Sequence, residues 1–303
     1  MASAPRTSTS PSTVGALLAA VGRSFSFEFF PPKTDQGERA LFQAIRELES
    51  LHPTFVSVTY GAGGTTRDRT VRVTRRILEE TTLLPVAHLT CVGASVADLR
   101  AVIGEYADAG LRNVLALRGD PPGGPGTTWV QHEGGLAHAD ELVRLVRSLG
   151  DFSVGVAAFP EGHPESPSLD QDARVLLAKQ ESGAEFAITQ LFFQADDYHA
   201  LVERSRAIGV SIPIIPGLMP LTNVAQIERF ALFAGTAFPD DLATRFRAVG
   251  DDAAAVHALG VEVASDLATE LLDGGAPGLH FYTLNRSTST REIYAGLGLA
   301  SPA

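Results

Sequence analysis

The feature that most constrains this chain is a repeated unit: a short β-rich run followed by a longer stretch with helical periodicity. The β-rich runs are Ser24–Phe30, Thr54–Thr59, Leu84–Cys91, Asn113–Arg118, Phe152–Ala158, Phe186–Leu191, Ser211–Ile215 and Gly278–Tyr282. Apolar residues recur at helical spacing over Glu38–Leu51, Arg67–Glu80, Ser95–Ala109, Asp140–Leu149, Asp170–Ser182, Asp196–Ile208, Asn223–Gly235 and Ser287–Leu297, with an additional stretch at Asp251–Leu272. Strands that alternate with helices become parallel neighbours, because the helix carries the chain back to the start of the next strand. Eight is a strand count at which such a sheet closes. The pattern predicts a single-domain α/β protein, a (β/α)8 TIM barrel with an extra helical stretch before the last strand. No G-x-G-x-x-G follows the first strand, which disfavours an open dinucleotide-binding sheet. Residues 1–11 read as a flexible tail and 12–303 as the barrel.

Composition narrows the partners. The formal net charge is −11, without a block of Lys or Arg, so the expectation is no nucleic-acid partner, since phosphate binding draws on clustered cations. Cys91 is the single cysteine, set in the apolar run LPVAHLTC, and reads as a small buried core residue. No run approaches the ~18 apolar residues of a membrane span. The opening MASAPRTSTSPST lacks the apolar segment of a secretory signal, so the chain reads as cytoplasmic. His88 and His163 have no third ligand at suitable spacing, and no metal is expected.

In a barrel of this kind the site lies where the strands end. Chemically useful residues fall there repeatedly: Glu28, Thr59-Tyr60, His88, Arg118-Gly119-Asp120, Phe159 through His163, Gln190 and Asn285-Arg286. Glu28 lies opposite the Phe27/Phe29 face by strand alternation. An isolated strand glutamate is ordinarily exposed or salt-bridged, but a barrel strand is covered on both faces, so Glu28 is expected to point inward with a raised pKa, as suits a general acid. Arg118 and Asp120 read either as a surface ion pair or as partners for a phosphate and a heterocycle. Gln190, among apolar neighbours, needs either core backbone groups or a ligand. The GAGGTT run after the second strand is an ordinary turn or a site of close backbone approach.

The motifs FEFFPPK (27–33), SVTYGAGGTTRDRT (57–70), AHLTC (87–91), LALRGDPP (115–122), HPES (163–166), AITQLFF (187–193), IIPGLMP (214–220) and HFYTLNRS (280–287) resemble methylenetetrahydrofolate reductases, of the bacterial type that consists of the catalytic barrel. The resemblance implies a (β/α)8 barrel that binds FAD and takes electrons from NADH or NADPH. It implies a ping-pong reduction of methylenetetrahydrofolate, with assembly as a dimer or tetramer. Glu28 matches the family's general acid, and Asp120 a carboxylate near both flavin and pterin. Gln190, Gln226, Phe230 and Arg286 match substrate contacts. Thr59, Tyr60, His88, Arg118, Gly119, Asp120, Ala139, Phe159, His163, Asp172 and Lys179 match FAD contacts, with Lys179 toward the diphosphate and Asp172 toward a ribose hydroxyl. Phe159 stands where many relatives have Tyr. Val175 and Ala178 replace residues that are polar or charged in well-known bacterial relatives. Two rivals stay open at this point: a folate-binding paralogue without catalysis, and a reductase that omits the flavin.

Overall fold

A computed structural model of the chain describes residues 13–60, 67–121, 123–124, 127–222, 238–250 and 252–299. In order they form α1 (Val14–Ala20), β1 (Ser24–Phe29), α2 (Asp35–Glu49), β2 (Phe55–Val58), α3 (Arg67–Glu80), β3 (Pro85–Thr90), α4 (Val96–Asp108), β4 (Asn113–Leu117), α5 (Ala139–Leu149) and β5 (Ser153–Ala158). There follow α6 (Leu169–Glu181), β6 (Phe186–Thr189), α7 (Ala195–Ala207), β7 (Ile214–Ile215), β8 (Gly217–Leu218), α8 (Asp240–Val249), α9 (Ala253–Asp273), β9 (Gly278–Tyr282) and α10 (Thr288–Gly296). The strands are parallel, in the order β7-β6-β5-β4-β3-β2-β1-β9-β8.

β7 and β8 are two halves of one strand. Pro216 divides them, and its carbonyl accepts a hydrogen bond from the His280 N–H at 2.9 Å. The first half pairs with β6 and the second with β9, so the sheet closes as the expected (β/α)8 barrel. The seventh strand starts later than the sequence reading, which began it at Ser211. The Ser211 and Ile212 N–H groups donate to the Gln180 side chain at 2.7 and 3.1 Å instead of to a neighbouring strand. Proline at 213 and 216 supplies no N–H to the ladder. Two helices, α1 and α8, were not anticipated. The expected helix at 223–235, the GAGGTT run and the 1–11 tail lie outside the described residues.

Strand parity sorts the side chains. On β1, Phe25 and Phe27 face outward, each with its ring 5.6 Å from Tyr294 of α10, while Ser26 and Glu28 face the interior. The lower interior is filled by Phe55, Val86, Leu115, Phe186, Ile188 and Ile215, closed beneath by Val14 of α1. The Val14 N–H donates to Asn113 Oδ1 at 2.8 Å, anchoring that plug to β4. One end of the barrel is thus packed mainly with hydrocarbon, its buried Asn113 and Ser153 bonded to the backbone of α1, while Glu28 stands toward the other, the mouth at the strand C-termini.

Candidate active site

Glu28 is the centre of the mouth. Its Oε2 accepts a hydrogen bond from Ser57 Oγ of β2 at 3.4 Å. It also lies 3.4 Å from His88 Nε2 on β3 and 3.5 Å from His280 Nε2 on β9. The parallel register forces this meeting, since Ser57 and Tyr282 are the partners of Glu28 on either side. The Glu28 side chain remains 18% exposed, so one side of the carboxylate opens to the mouth.

His280 is fully buried, with Nδ1 2.7 Å from Ser26 Oγ and its ring stacked on Phe55 at 5.8 Å. The tautomer in which Ser26 donates to Nδ1 places the ring proton on Nε2, facing Glu28. Tyr282 meets the His280 ring edge-on and donates its hydroxyl proton to the Thr189 carbonyl. His280 and Ser57 escaped the sequence reading as site residues. The available signal was parity: positions 280 and 282 alternate inward on β9 as 26 and 28 do on β1.

The inward direction of Glu28 agrees with expectation, but the expected rise in its pKa does not hold. Burial, the largest single influence, does push it up. The His280 and His88 imidazoles and the Ser57 hydroxyl together outweigh burial and hold the carboxyl below its ordinary 4.5. Burial conversely holds His88 below 6.5, with Glu28 pulling the other way, so His88 is neutral at pH 7. Both shifts act on stability in the same direction, because the unfolded chain takes up each proton at a higher pH than the folded one. The stabilisation is complete above pH 6.5. It falls first as the His88 position protonates in the unfolded chain, then below pH 4.5 as Glu28 does. A melting series from pH 7.5 to 4 should therefore show a descending Tm. His88→Asn should flatten the upper part of that descent, and an unchanged slope would contradict the assignment.

The β4–β5 side of the mouth carries most of the residues matched to a dinucleotide. Arg118 pairs with Glu165 through two bonds of 2.8 Å, not with its neighbour Asp120, which is exposed. The guanidinium carbon lies 5.1 Å from the centre of the Trp129 ring, whose N–H donates to the Gly119 carbonyl at 3.2 Å. Gly119 has φ +84°, and a Cβ there would come within 2.6 Å of Val92, so the turn admits only glycine. Glu165 and Trp129, neither of them named as a site residue from the sequence, clasp the loop after β4 to the loop after β5.

Phe159 meets His163 edge-on at 4.8 Å, and the His163 N–H donates to Asp172 Oδ2 at 3.0 Å. Burial, followed by the Arg118 charge, lowers the His163 pKa. Lys179, in the last turn of α6, is buried, and its Nζ donates to the Ala157 carbonyl at 2.8 Å. No ion pair with Lys179 occurs among the described residues. Burial pulls its pKa down to about 8, against the opposing influence of Asp172 and Asp140.

The remaining predicted residues occupy the rim. Thr59 bridges β1 and α3: its N–H donates to Phe29 and its carbonyl accepts from Thr70, both at 2.9 Å. Tyr60 is half-buried against the core, and Ala139 is the buried first residue of α5. The Gln190 N–H donates to Ala158 at 2.7 Å, while its Oε1 accepts from the Leu191 N–H at 2.9 Å. Arg286 is exposed beyond β9. Gln226 and Phe230 lie outside the described residues. Cys91 is buried as expected, and burial pushes its thiol up to about 11. Among the described residues there is no cluster of three metal-binding side chains, and no helix long and apolar enough to cross a membrane.

A closed parallel barrel, apolar at one end and lined at the other by an acid, two imidazoles and a buried lysine, is the architecture of an enzyme TIM barrel. Comparison of sequences places it further. The pattern of the methylenetetrahydrofolate reductase family matches residues 14–298, and the chain belongs to that family. It is 40% identical over 276 residues to the 5,10-methylenetetrahydrofolate reductase of Pectobacterium carotovorum, covering 90% of each chain. It is 39% identical over 274 residues to that of Escherichia coli K12, again covering 90% of each. Among solved structures, a Clostridium thermocellum protein described as binding two copies of 5-methyl-5,6,7,8-tetrahydrofolic acid shares the fold. Its TM-score is 0.65 at 13% identity, covering 94% of this chain and 96% of that one.

Proposed function

We propose that the protein reduces 5,10-methylenetetrahydrofolate to 5-methyltetrahydrofolate with electrons from NADH or NADPH passed through FAD in a ping-pong cycle, supplying methyl groups for methionine synthesis. Cytoplasmic location and assembly as a dimer or tetramer belong to the same proposal. The observation that carries it is the Glu28 carboxyl, set in the mouth beside Ser57 and between two imidazoles.

The methylene bridge accepts hydride only after its ring opens to an iminium cation, which requires a proton on the departing nitrogen. Glu28 supplies that proton. It rests ionised, and a ring system laid over the mouth removes its remaining water. Desolvation then adds to the influence already largest at this carboxyl and raises its pKa toward the working range. Asp120, a carboxylate at the rim, favours the cation electrostatically. Gln190, Gln226, Phe230 and Arg286 hold the folate and the nicotinamide in turn.

The residues present suit FAD. Thr90 Oγ1 is a buried polar atom without a hydrogen-bond partner among the described residues, His88 Nε2 has only the Glu28 carboxylate at 3.4 Å, and Lys179 is a buried ammonium with no ion pair among the described residues. Lys179 would meet the diphosphate and Asp172 a ribose hydroxyl. Thr59, Tyr60, His88, Arg118, Gly119, Ala139, Phe159 and His163 would surround the remainder. When bound, FAD accepts hydride from the nicotinamide and returns it to the folate.

Asp120→Asn should lower folate turnover on the order of 10-fold to 100-fold. It should also raise the flavin potential, because removing a negative charge stabilises the reduced ring; an unchanged potential would remove Asp120 from the flavin's vicinity. The activity itself is tested by supplying FAD, NADH and methylenetetrahydrofolate and measuring methyltetrahydrofolate. Folate binding without product would favour the non-catalytic paralogue. A colourless protein that turns over and is indifferent to added FAD would favour direct transfer from the nicotinamide.

A further inference from the structure

Phe30 is a large apolar side chain that is 44% exposed at the end of the strand bearing Glu28. Its backbone is fixed from three directions. The Asn285 side chain pairs with it as a neighbouring strand would: Phe30 N–H donates to Asn285 Oδ1 at 2.9 Å, and Asn285 Nδ2 donates to the Phe30 carbonyl at 2.8 Å. Immediately before it, Thr59 N–H binds the Phe29 carbonyl at 2.9 Å, and Thr283 Oγ1 binds the Glu28 carbonyl at 2.6 Å. Immediately after it come Pro31 and Pro32, and a residue that precedes proline is confined to extended conformations.

Holding this arrangement has a conformational cost. Leu284 and Asn285 both take left-handed φ values, 52° and 58°, a region that Asn tolerates but that a residue such as Leu adopts only when the surroundings impose it. The extended backbone carries the parity of β1 one residue past its formal end. Ser26 and Glu28 face the interior, so Phe30 faces the same way, one step nearer the rim. Phe25, Phe27 and Phe29 are packed against the outer layer, whereas Phe30 is left exposed at a position whose strand parity is that of the acid. A backbone clamp that leaves an aromatic ring exposed, two residues beyond Glu28 on the same strand face, serves a flat ligand better than it serves the core.

We infer that Phe30 is a positioning residue for the folate: its ring face packs against the conjugated ring system of the substrate and sets the departing nitrogen over Glu28. This rests on the function proposed above. The interaction is one of shape and dispersion between aromatic faces, so it belongs to the folate half of the cycle, the half that Glu28 serves.

The test uses full-length FAD-loaded protein and the probe 5-methyltetrahydrofolate, its Kd read from the perturbation of flavin absorbance. Phe30→Ala should raise the Kd about 10-fold and Phe30→Leu about 5-fold, while Phe30→Tyr, which keeps the ring face, stays within about 2-fold of wild type. The KM for methylenetetrahydrofolate should move with the Kd, and flavin reduction by NADH should change less than about 2-fold. If the Ala variant fails to fold, the Leu and Tyr pair decides. Leu and Ala variants that bind like wild type overturn the inference and leave the enzyme assignment intact. A wild-type protein that binds the probe but makes no product overturns the assignment, and the ring's role in binding is then judged by the same three Kd values. A wild-type protein that does not bind the probe overturns both.

Discussion

Glu28→Gln is expected to lower the rate of folate reduction by on the order of 10²–10⁴-fold, the span that general acid catalysis contributes, while flavin reduction by NADH stays within about 3-fold of wild type. The amide preserves the shape of the side chain and its contact with Ser57, so the barrel should fold normally. What disappears is the transferable proton, and only the folate half of the cycle uses one. Rapid-mixing measurement of the two half-reactions separates these cases. Equal losses in both would mean that Glu28 shapes the flavin site instead of acting on the folate.

Lys179→Met carries the second large effect. With an anionic diphosphate against Nζ, the ammonium would be stabilised by its ligand; without one, it is a buried charge hydrogen-bonded to the Ala157 carbonyl, its burial only partly offset by Asp172 and Asp140. Its pKa of about 8 against an ordinary 10.5 means that keeping it protonated in the folded protein near neutrality costs about 3 kcal/mol. The depressed lysine contributes stability above pH 10.5 that is lost as the pH falls through about 8, so at pH 7 the full penalty is present. The methionine variant should therefore bind FAD about 100-fold more weakly yet, stripped of flavin, melt at a higher temperature than the stripped wild type. A purely structural lysine predicts the opposite sign in the melting experiment. Titration of the stripped proteins with FAD, followed by melting curves of both, reads the two effects separately.

Much of this architecture was legible in the chain because β-rich runs and helical spacing are local properties. α3 and the last strand appear at the predicted boundaries. The division of the seventh strand at Pro216 was less visible, since it depends on which carbonyl the His280 N–H finds across the closing seam. α1 escaped because a helix of 7 residues gains its stability from plugging the barrel floor, not from its own sequence.

The same division runs through the site. Parity alone turned Glu28 inward, but the sign of its pKa shift depends on His88 and His280, which come from strands far away in the chain and meet only through register. Arg118 has Asp120 two positions away, yet its partner is Glu165, 47 residues distant. The burial of Lys179 likewise arises from the packing of α6 on β5, which helical periodicity does not reveal. Local patterns reported which residues stand at strand ends; charge balance awaited the three-dimensional neighbours.

The most direct measurement is an absorption spectrum of the purified protein during anaerobic titration, first with NADH and then with methylenetetrahydrofolate. A yellow protein should bleach on addition of one equivalent of NADH and regain its colour as the folate is converted to methyltetrahydrofolate. A protein that takes up FAD and bleaches with NADH, but stays bleached when the folate is added, would contradict the account at its centre.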